Sequence, residues 1–194
     1  MNERPAPALG AAMAADATRV EVEVLPGVLV ALSAVGLAQL ALIKVPGWRY
    51  RPHLEHAADA ENQDADVLHA LAWQESNFRP AAVGAANRNG TRDYGLMQIN
   101  ESNFAWLGLS QANVFDPAVN ARAAAKVLRA AYAQGARSVA DALSIYNAGS
   151  AGRGAGPRKT TDGRYVNEEY VRSVLSRLFW VRWANVAPFK RVET

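Results

Sequence analysis

The stretch "WQESNFRP", Trp73 to Pro80, carries one glutamate where a helix should be apolar. Val67, Leu71 and Glu75 are spaced by four, with Ala70 and Phe78 beside them, so a helix through them puts the carboxylate on its apolar face. A carboxyl on such a face loses water, which disfavours its charged form and lets it keep a proton near neutral pH. That is the property a general acid needs. A rotated helix would instead leave Glu75 in solvent, the ordinary place for a glutamate, and this one helix does not separate the two readings.

The elements that must position Glu75 are mostly helical. Its own helix is predicted from Asp64 or Asp66 as N-cap through Phe78, with Pro80 as the stop, and another precedes it over about residues 53–61. Asp116 followed by Pro117 signals a helix start, running through Tyr132 to a stop at Gly135. Ser138 with Asp141 three residues on resembles a capping box that opens a helix through Tyr146. Asn167 begins a last amphipathic helix to about Trp183, with Tyr170, Val171, Val174, Leu175 and Leu178 inward. Between Val83 and Asn100 the chain is polar and contains glycine, and "NRNGTRDYG" within it reads as turns and short hairpin strands. The alternation of Leu96 and Ile99 assigns both to the core. No internal repeat is visible.

Four segments, "ESNF", "NRNGTRDYGLMQIN", "SIYNAGSAG" and "EEYVRSV", resemble in order the signature segments of the soluble lytic transglycosylase domain of the lysozyme-like superfamily. The variant they resemble is the small one of conjugation and secretion systems and of the machinery by which phages enter cells. The resemblance covers about residues 50 to 180. It implies a mainly α, α+β lysozyme-like fold, a helical domain with a small β-hairpin beside the cleft. It also implies that Glu75 is the sole essential acid and base. Glu75 would protonate the glycosidic oxygen between N-acetylmuramic acid and N-acetylglucosamine, then take the proton of the muramyl 6-hydroxyl as that oxygen closes on the anomeric carbon. The product is a 1,6-anhydro sugar. Stabilisation by the substrate's own acetamido group removes the need for a second carboxylate, unlike in ordinary glycosidases.

The same resemblance implies roles for the residues around Glu75. Ser76 matches a serine that hydrogen-bonds near the site, and Gly95 a position where the backbone approaches the sugar closely. Met97 and Gln98 match pocket-lining positions, Gln98 as a partner for the acetamido group or sugar hydroxyls. Tyr146 and Asn147 match residues that wall the site and hold the glutamate or substrate, with the Tyr146 hydroxyl as a donor to Glu75, and Tyr170 matches a further wall.

Asp93 complicates that mechanism. The stretch from Glu75 to Asn100 also resembles animal-type lysozyme, in which an aspartate at this place is the second catalytic carboxylate. An ionised Asp93 near the anomeric carbon would give hydrolysis with retention. Against this stand the absence of cysteine, on which that lysozyme family depends, and the presence of "YNAG" and "YV", which it lacks. A plain turn residue is the other reading of Asp93. The competing functions are thus a peptidoglycan lytic transglycosylase, a muramidase using Glu75 and Asp93, and a non-catalytic wall-binding assembly module that kept the fold.

Composition narrows the classes further. The chain has 194 residues, half of them hydrophobic, enough for one medium domain with extensions. With no cysteine there is no disulfide framework or thiol nucleophile, and His53, His56 and His69 lack partners at ligand spacing, so neither metal nor cofactor is expected. A net charge of +3 with dispersed basic residues is too weak a footprint for nucleic acid and fits at most an attraction to an anionic polymer such as a cell wall. The basic loop from Gly149 to Tyr165 lacks the spacing of a phosphate loop; the resemblance places it beside the substrate cleft, and a solvated loop is the plainer reading.

Domain organisation follows composition. Residues 1–23 read as a flexible arm, 24–44 as a hydrophobic helix, 45–52 as a linker, 53–184 as the lysozyme-like domain and 185–194 as a tail. The uncharged run 24–43 is long enough to cross a bilayer, and a membrane anchor, a signal-peptide core and a helix buried against partner proteins all remain open for it. Lys44, Arg49 and Arg51 follow the run, which by the positive-inside rule would leave the domain in the cytoplasm, at odds with a wall enzyme. The resemblance implies glycan strands as substrate and a periplasmic place, anchored at the inner membrane or carried there, or else a place in a virion. It also implies a secretion or conjugation apparatus or a phage particle as partner.

Overall fold

In the computed structural model, residues 45–148 and 156–186 are described. The arm, the apolar run 24–43, residues 149–155 of the basic loop and residues 187–194 lie outside the described residues. Among the described residues no helix is long and apolar enough to cross a membrane.

The helices begin where side chains can cap them. Helix α1 (Arg51–Glu61) has Pro52 in its first turn. Helix α2 (Ala65–Ser76) is capped by Asp64, whose Oδ1 accepts from the amides of Asp66 at 2.7 Å and Val67 at 3.4 Å. A short α3 (Phe104–Leu107) follows the hairpin. Asp116 caps α4 (Pro117–Ala133) through the amides of Ala118 and Val119. Ser138 caps α5 (Val139–Asn147) by accepting from the Asp141 amide at 3.1 Å. Asp141 answers by accepting from the amide of Arg137 at 3.1 Å, one residue earlier than a capping box would have it. The last helix, α6, is Glu168–Val186.

Helix α2 ends two residues before Phe78, its expected last residue. Asn77 and Phe78 are both left-handed, with φ of 51° and 58°, and the Phe78 amide reaches back to the Ala72 carbonyl at 3.3 Å. The reversal sends the Phe78 ring inward against Tyr50 and His69.

Residues 45–52 differ from the expected linker. Trp48–Tyr50 form a 3-10 turn, and Val45 and Tyr50 are buried. His69 Nε2 donates to the Pro46 carbonyl at 2.8 Å, and its ring, fully buried, packs against Trp48. Gly47 has φ +83°, and a Cβ there would lie 2.3 Å from the Phe78 ring. The two prolines and the glycine that suggest a linker instead let the chain turn tightly over these rings.

Helix α1 packs on α4, α2 on α6, and α5 on both α4 and α6. Leu54, Leu68, Leu71, Leu128, Leu143 and Val174 fill the space between them, and Leu96 and Ile99 join this core as expected. Glu61, buried on α1, pairs with Arg122 at 3.1 Å and Arg129 at 3.2 Å on α4. Two short antiparallel strands, β1 (Asp93–Tyr94) and β2 (Ile99–Asn100), set Asp93 opposite Asn100 and Tyr94 opposite Ile99. The domain is therefore mainly α, with the small hairpin of a lysozyme-like fold.

Candidate active site

The turn between β1 and β2 is fixed by side chains from three helices. Ser76 at the end of α2 donates its hydroxyl to the Leu96 carbonyl at 2.7 Å. Tyr146 on α5 donates to the Met97 carbonyl at 2.8 Å. Asn120 on α4, fully buried, accepts from the Met97 amide at 2.7 Å and donates to the Tyr94 carbonyl at 3.1 Å. Gly95 makes room for that carboxamide: at φ +82° a Cβ would stand 2.5 Å from Asn120 Nδ2 and 2.7 Å from the Val114 carbonyl.

These contacts alter several expected roles. Gly95 is packed internally against Asn120. Ser76 and Met97 are buried and spent on the turn, and neither lines the cleft. Gln98, with φ 47°, lines the cleft, although its Nε2 is turned inward to the Gly95 carbonyl at 2.9 Å. Tyr146 gives its hydrogen to Met97 and not to Glu75. The donor to Glu75 is Tyr170 on α6, which hydrogen-bonds Oε1.

Glu75 sits one residue from the end of α2, with its carboxyl largely desolvated although one side opens to the cleft. Burial pushes its pKa up to about 7; the Tyr170 hydrogen bond pulls it down and the nearby Asp93 charge adds to the rise. Tyr170 is itself held far above the ordinary phenol range, first by burial and then by the Glu75 charge, so its proton stays on the phenol. Burial does the same to Tyr146, helped by the charges of Glu75 and Asp93. Near neutral pH the carboxyl can therefore both give and take a proton, hydrogen-bonded by one neutral phenol, Tyr170, with Tyr146 on the wall of the same cleft.

A cleft of about 260 Å³ joins Glu75 to Asp93, Gln98, Tyr146 and Asn147. Its other polar walls are Asn87, Asn89, Thr91, Asn100, Ser102 and Asn103, which together present amides and hydroxyls of the kind that bind sugar hydroxyls. Asp93 is held by two of them, accepting from Asn100 Nδ2 at 2.8 Å and Asn87 Nδ2 at 3.2 Å. Its oxygens thus bond carboxamides across the hairpin rather than turn amides. Asn147 is anchored by Asn167 Nδ2 at 2.8 Å, which joins α5 to the start of α6.

Sequence patterns single out Gln98 and Asn147 but neither Asn120 nor the cleft carboxamides Asn87, Asn89, Asn100 and Asn103. A signal for Asn120 was available: four residues before Ala124 and eight before Leu128, it is a polar group on the apolar stripe of α4, the same anomaly that singles out Glu75. Among the described residues no group of three His, Cys, Asp or Glu is placed to hold a metal ion.

The family described as the Transglycosylase SLT domain matches residues 53–164. Protein IpgF of Shigella flexneri is 31% identical over 132 residues, 62% of this chain and 82% of that protein. Invasion protein IagB of Salmonella typhimurium (strain SL1344) is 34% identical over 102 residues, half of this chain and 62% of that protein. Lysozyme P of Drosophila melanogaster is 57% identical over a segment of 30 residues, 16% of this chain and 21% of that protein.

Proposed function

The chain belongs to the Transglycosylase SLT domain family, and from that premise we propose that it is a peptidoglycan lytic transglycosylase. It cleaves the β-1,4 bond between N-acetylmuramic acid and N-acetylglucosamine and leaves a 1,6-anhydromuramyl end. The observation that carries this reading is the Glu75 carboxyl, with its pKa pushed up to about 7, in a cleft walled otherwise by amides and hydroxyls. Protonated Glu75 gives its hydrogen to the glycosidic oxygen as the bond to the anomeric carbon breaks, and the substrate's acetamido oxygen shields the cationic carbon. The resulting carboxylate, bonded by Tyr170, then takes the 6-hydroxyl proton while that oxygen bonds the anomeric carbon. Glu75 ends protonated, ready for another strand, and no water is consumed.

Its place would be the periplasm, opening the wall locally for a secretion or conjugation apparatus or a phage particle. The relative named as an invasion protein favours the first of these. Residues 24–43 would anchor the domain at the inner membrane, deliver it, or bury themselves against partner proteins.

A second reading, a hydrolytic muramidase, is favoured by Asp93 on the same cleft as Glu75 and by the short match to Lysozyme P. Digestion of purified peptidoglycan, with the released muropeptides weighed by mass spectrometry, tests both. Products lighter by one water than reducing muropeptides are expected; reducing ends would transfer the mechanism to Asp93 and water. Glu75→Gln should lower turnover by about 10³-fold or more, and wall clearance unchanged in that variant would remove Glu75 from the chemistry; a wild-type chain that binds the wall and releases no muropeptide would instead favour a non-catalytic wall-binding module.

A further inference from the structure

The second half of α6, from Ser176 to Val186, contains aromatic and basic residues and no acid. Phe179 is 59% exposed, and Trp180 and Trp183 are partly exposed beside it. The centre of the Trp180 ring lies 5.1 Å from that of Phe179 and 6.2 Å from that of Trp183, both edge to face. The three rings thus form one continuous surface on the helix.

That surface and the start of the domain lie at the same end of α2. Asp66 Oδ1 accepts from Arg51 Nη1 at 2.6 Å and from Asn185 Nδ2 at 2.7 Å, so one oxygen ties the first turn of α1 to the last turn of α6. Arg182 pairs with Asp64 at 2.7 Å. The Arg51 guanidinium lies 5.7 Å from the centre of the Trp48 ring, and the exposed Arg49 covers the Tyr50 ring. Arg51 also pairs with Glu55, so the carboxylates of Glu55, Asp64 and Asp66 are all neutralised. Indole rings among guanidinium groups are apolar in the body and polar at the edge, which suits the boundary between lipid headgroups and acyl chains.

The layout of the chain says what meets this surface. The uncharged run 24–43 stops two residues before Val45, whose side chain is already buried in the domain. Two residues reach at most about 7 Å, so a run that crosses a bilayer delivers this end of the domain to the lipid boundary. The catalytic carboxyl is at the far end of α2, with Glu75 about 14 Å along the helix axis from Asp66.

We propose that Phe179, Trp180 and Trp183 rest in the headgroup boundary of a bilayer, so that the folded domain lies on the membrane with its Glu75 cleft held off the lipid. This rests on the anchored reading of residues 24–43, and it adds a second lipid contact made by the domain itself.

The chain has no cysteine, so Phe179→Cys gives the full chain a single attachment point for an environment-sensitive fluorophore. Gln111→Cys, on an exposed turn before α4, is the reference position. In vesicles of phosphatidylcholine and phosphatidylglycerol, the emission of the label at 179 should shift to the blue and be quenched by brominated lipid. The label at 111 should keep its aqueous emission. No shift at 179, or equal shifts at both positions, overturns the proposal. A shift that grows with protein concentration in the absence of vesicles, as burial against a second copy would give, overturns it as well. Extraction with alkaline carbonate judges the anchor separately. A chain that resists extraction without a shift at 179 keeps the anchor and loses this contact, whereas a chain that shifts and is then extracted keeps the contact and loses the anchor.

Discussion

The Tyr170 hydroxyl donates to Oε1 of Glu75, a partner 95 residues away in sequence. The bond stabilises the ionised carboxyl and so opposes the upward pull of burial on its pKa. Tyr170→Phe should therefore raise that pKa above about 7. If protonated Glu75 starts the reaction, activity falls as pH rises through this value, and the alkaline limb of the rate profile on peptidoglycan should move to higher pH in the variant. Turnover near pH 6 should drop by roughly tenfold, because the carboxylate formed in mid-reaction loses a donor.

Asp93→Asn should act in the opposite direction. The aspartate charge disfavours ionisation of Glu75, so its removal lets Glu75 lose its proton at lower pH, and the alkaline limb should shift down. A transglycosylase that uses Asp93 only through its charge should keep turnover within about tenfold at pH 5.5. A fall of about 10³-fold with no shift of the limb would put Asp93 in the covalent chemistry.

Glu75 should also lower the protein's stability as pH rises. Its folded pKa, about 7, lies above its ordinary value of 4.5, so the folded state holds the proton more tightly. The contribution is fully favourable below the unfolded pKa and is lost as pH rises through the folded one. Glu75→Gln should be as stable as the parent near pH 4 and more stable at pH 8 by roughly 1–3 kcal/mol in urea unfolding.

Asn120→Ala should unsettle the hairpin from a distance. It strips the buried Met97 amide and Tyr94 carbonyl of their partner at a cost of roughly 2–4 kcal/mol. Gly95→Ala should be comparably harmful, since its Cβ meets the same carboxamide at a positive φ. Combining the two should cost less than the sum of the singles, because the clash is gone once Asn120 is truncated.

Local rules made the helices legible. Asp64, Asp116 and Ser138 each cap the helix assigned to them, because a cap is decided within three or four residues of sequence. The placement of Glu75 on a buried face was legible for the same reason, from the four-residue spacing of Val67, Leu71 and Glu75. What remained hidden was which partner each side chain would choose. Tyr146 and Tyr170 both border Glu75, and only the three-dimensional packing of α5 and α6 gives one to Met97 and the other to the carboxyl. The residues before α1 were misleading in a physical way, since Pro46 and Gly47 serve a tight turn as readily as a loose connection.

The β1–β2 turn looks like a loop, the part of a chain that usually tolerates change. With Ser76, Asn120 and Tyr146 all fastened to its backbone, it acts instead as a keystone for α2, α4 and α5. An added residue there would not merely lengthen a connection, for it would shift three anchors at once and carry the end of the catalytic helix with them. Relatives that vary the reach of this hairpin would have to take up their insertions before Asp93 or after Asn100, beyond the span the helices grip.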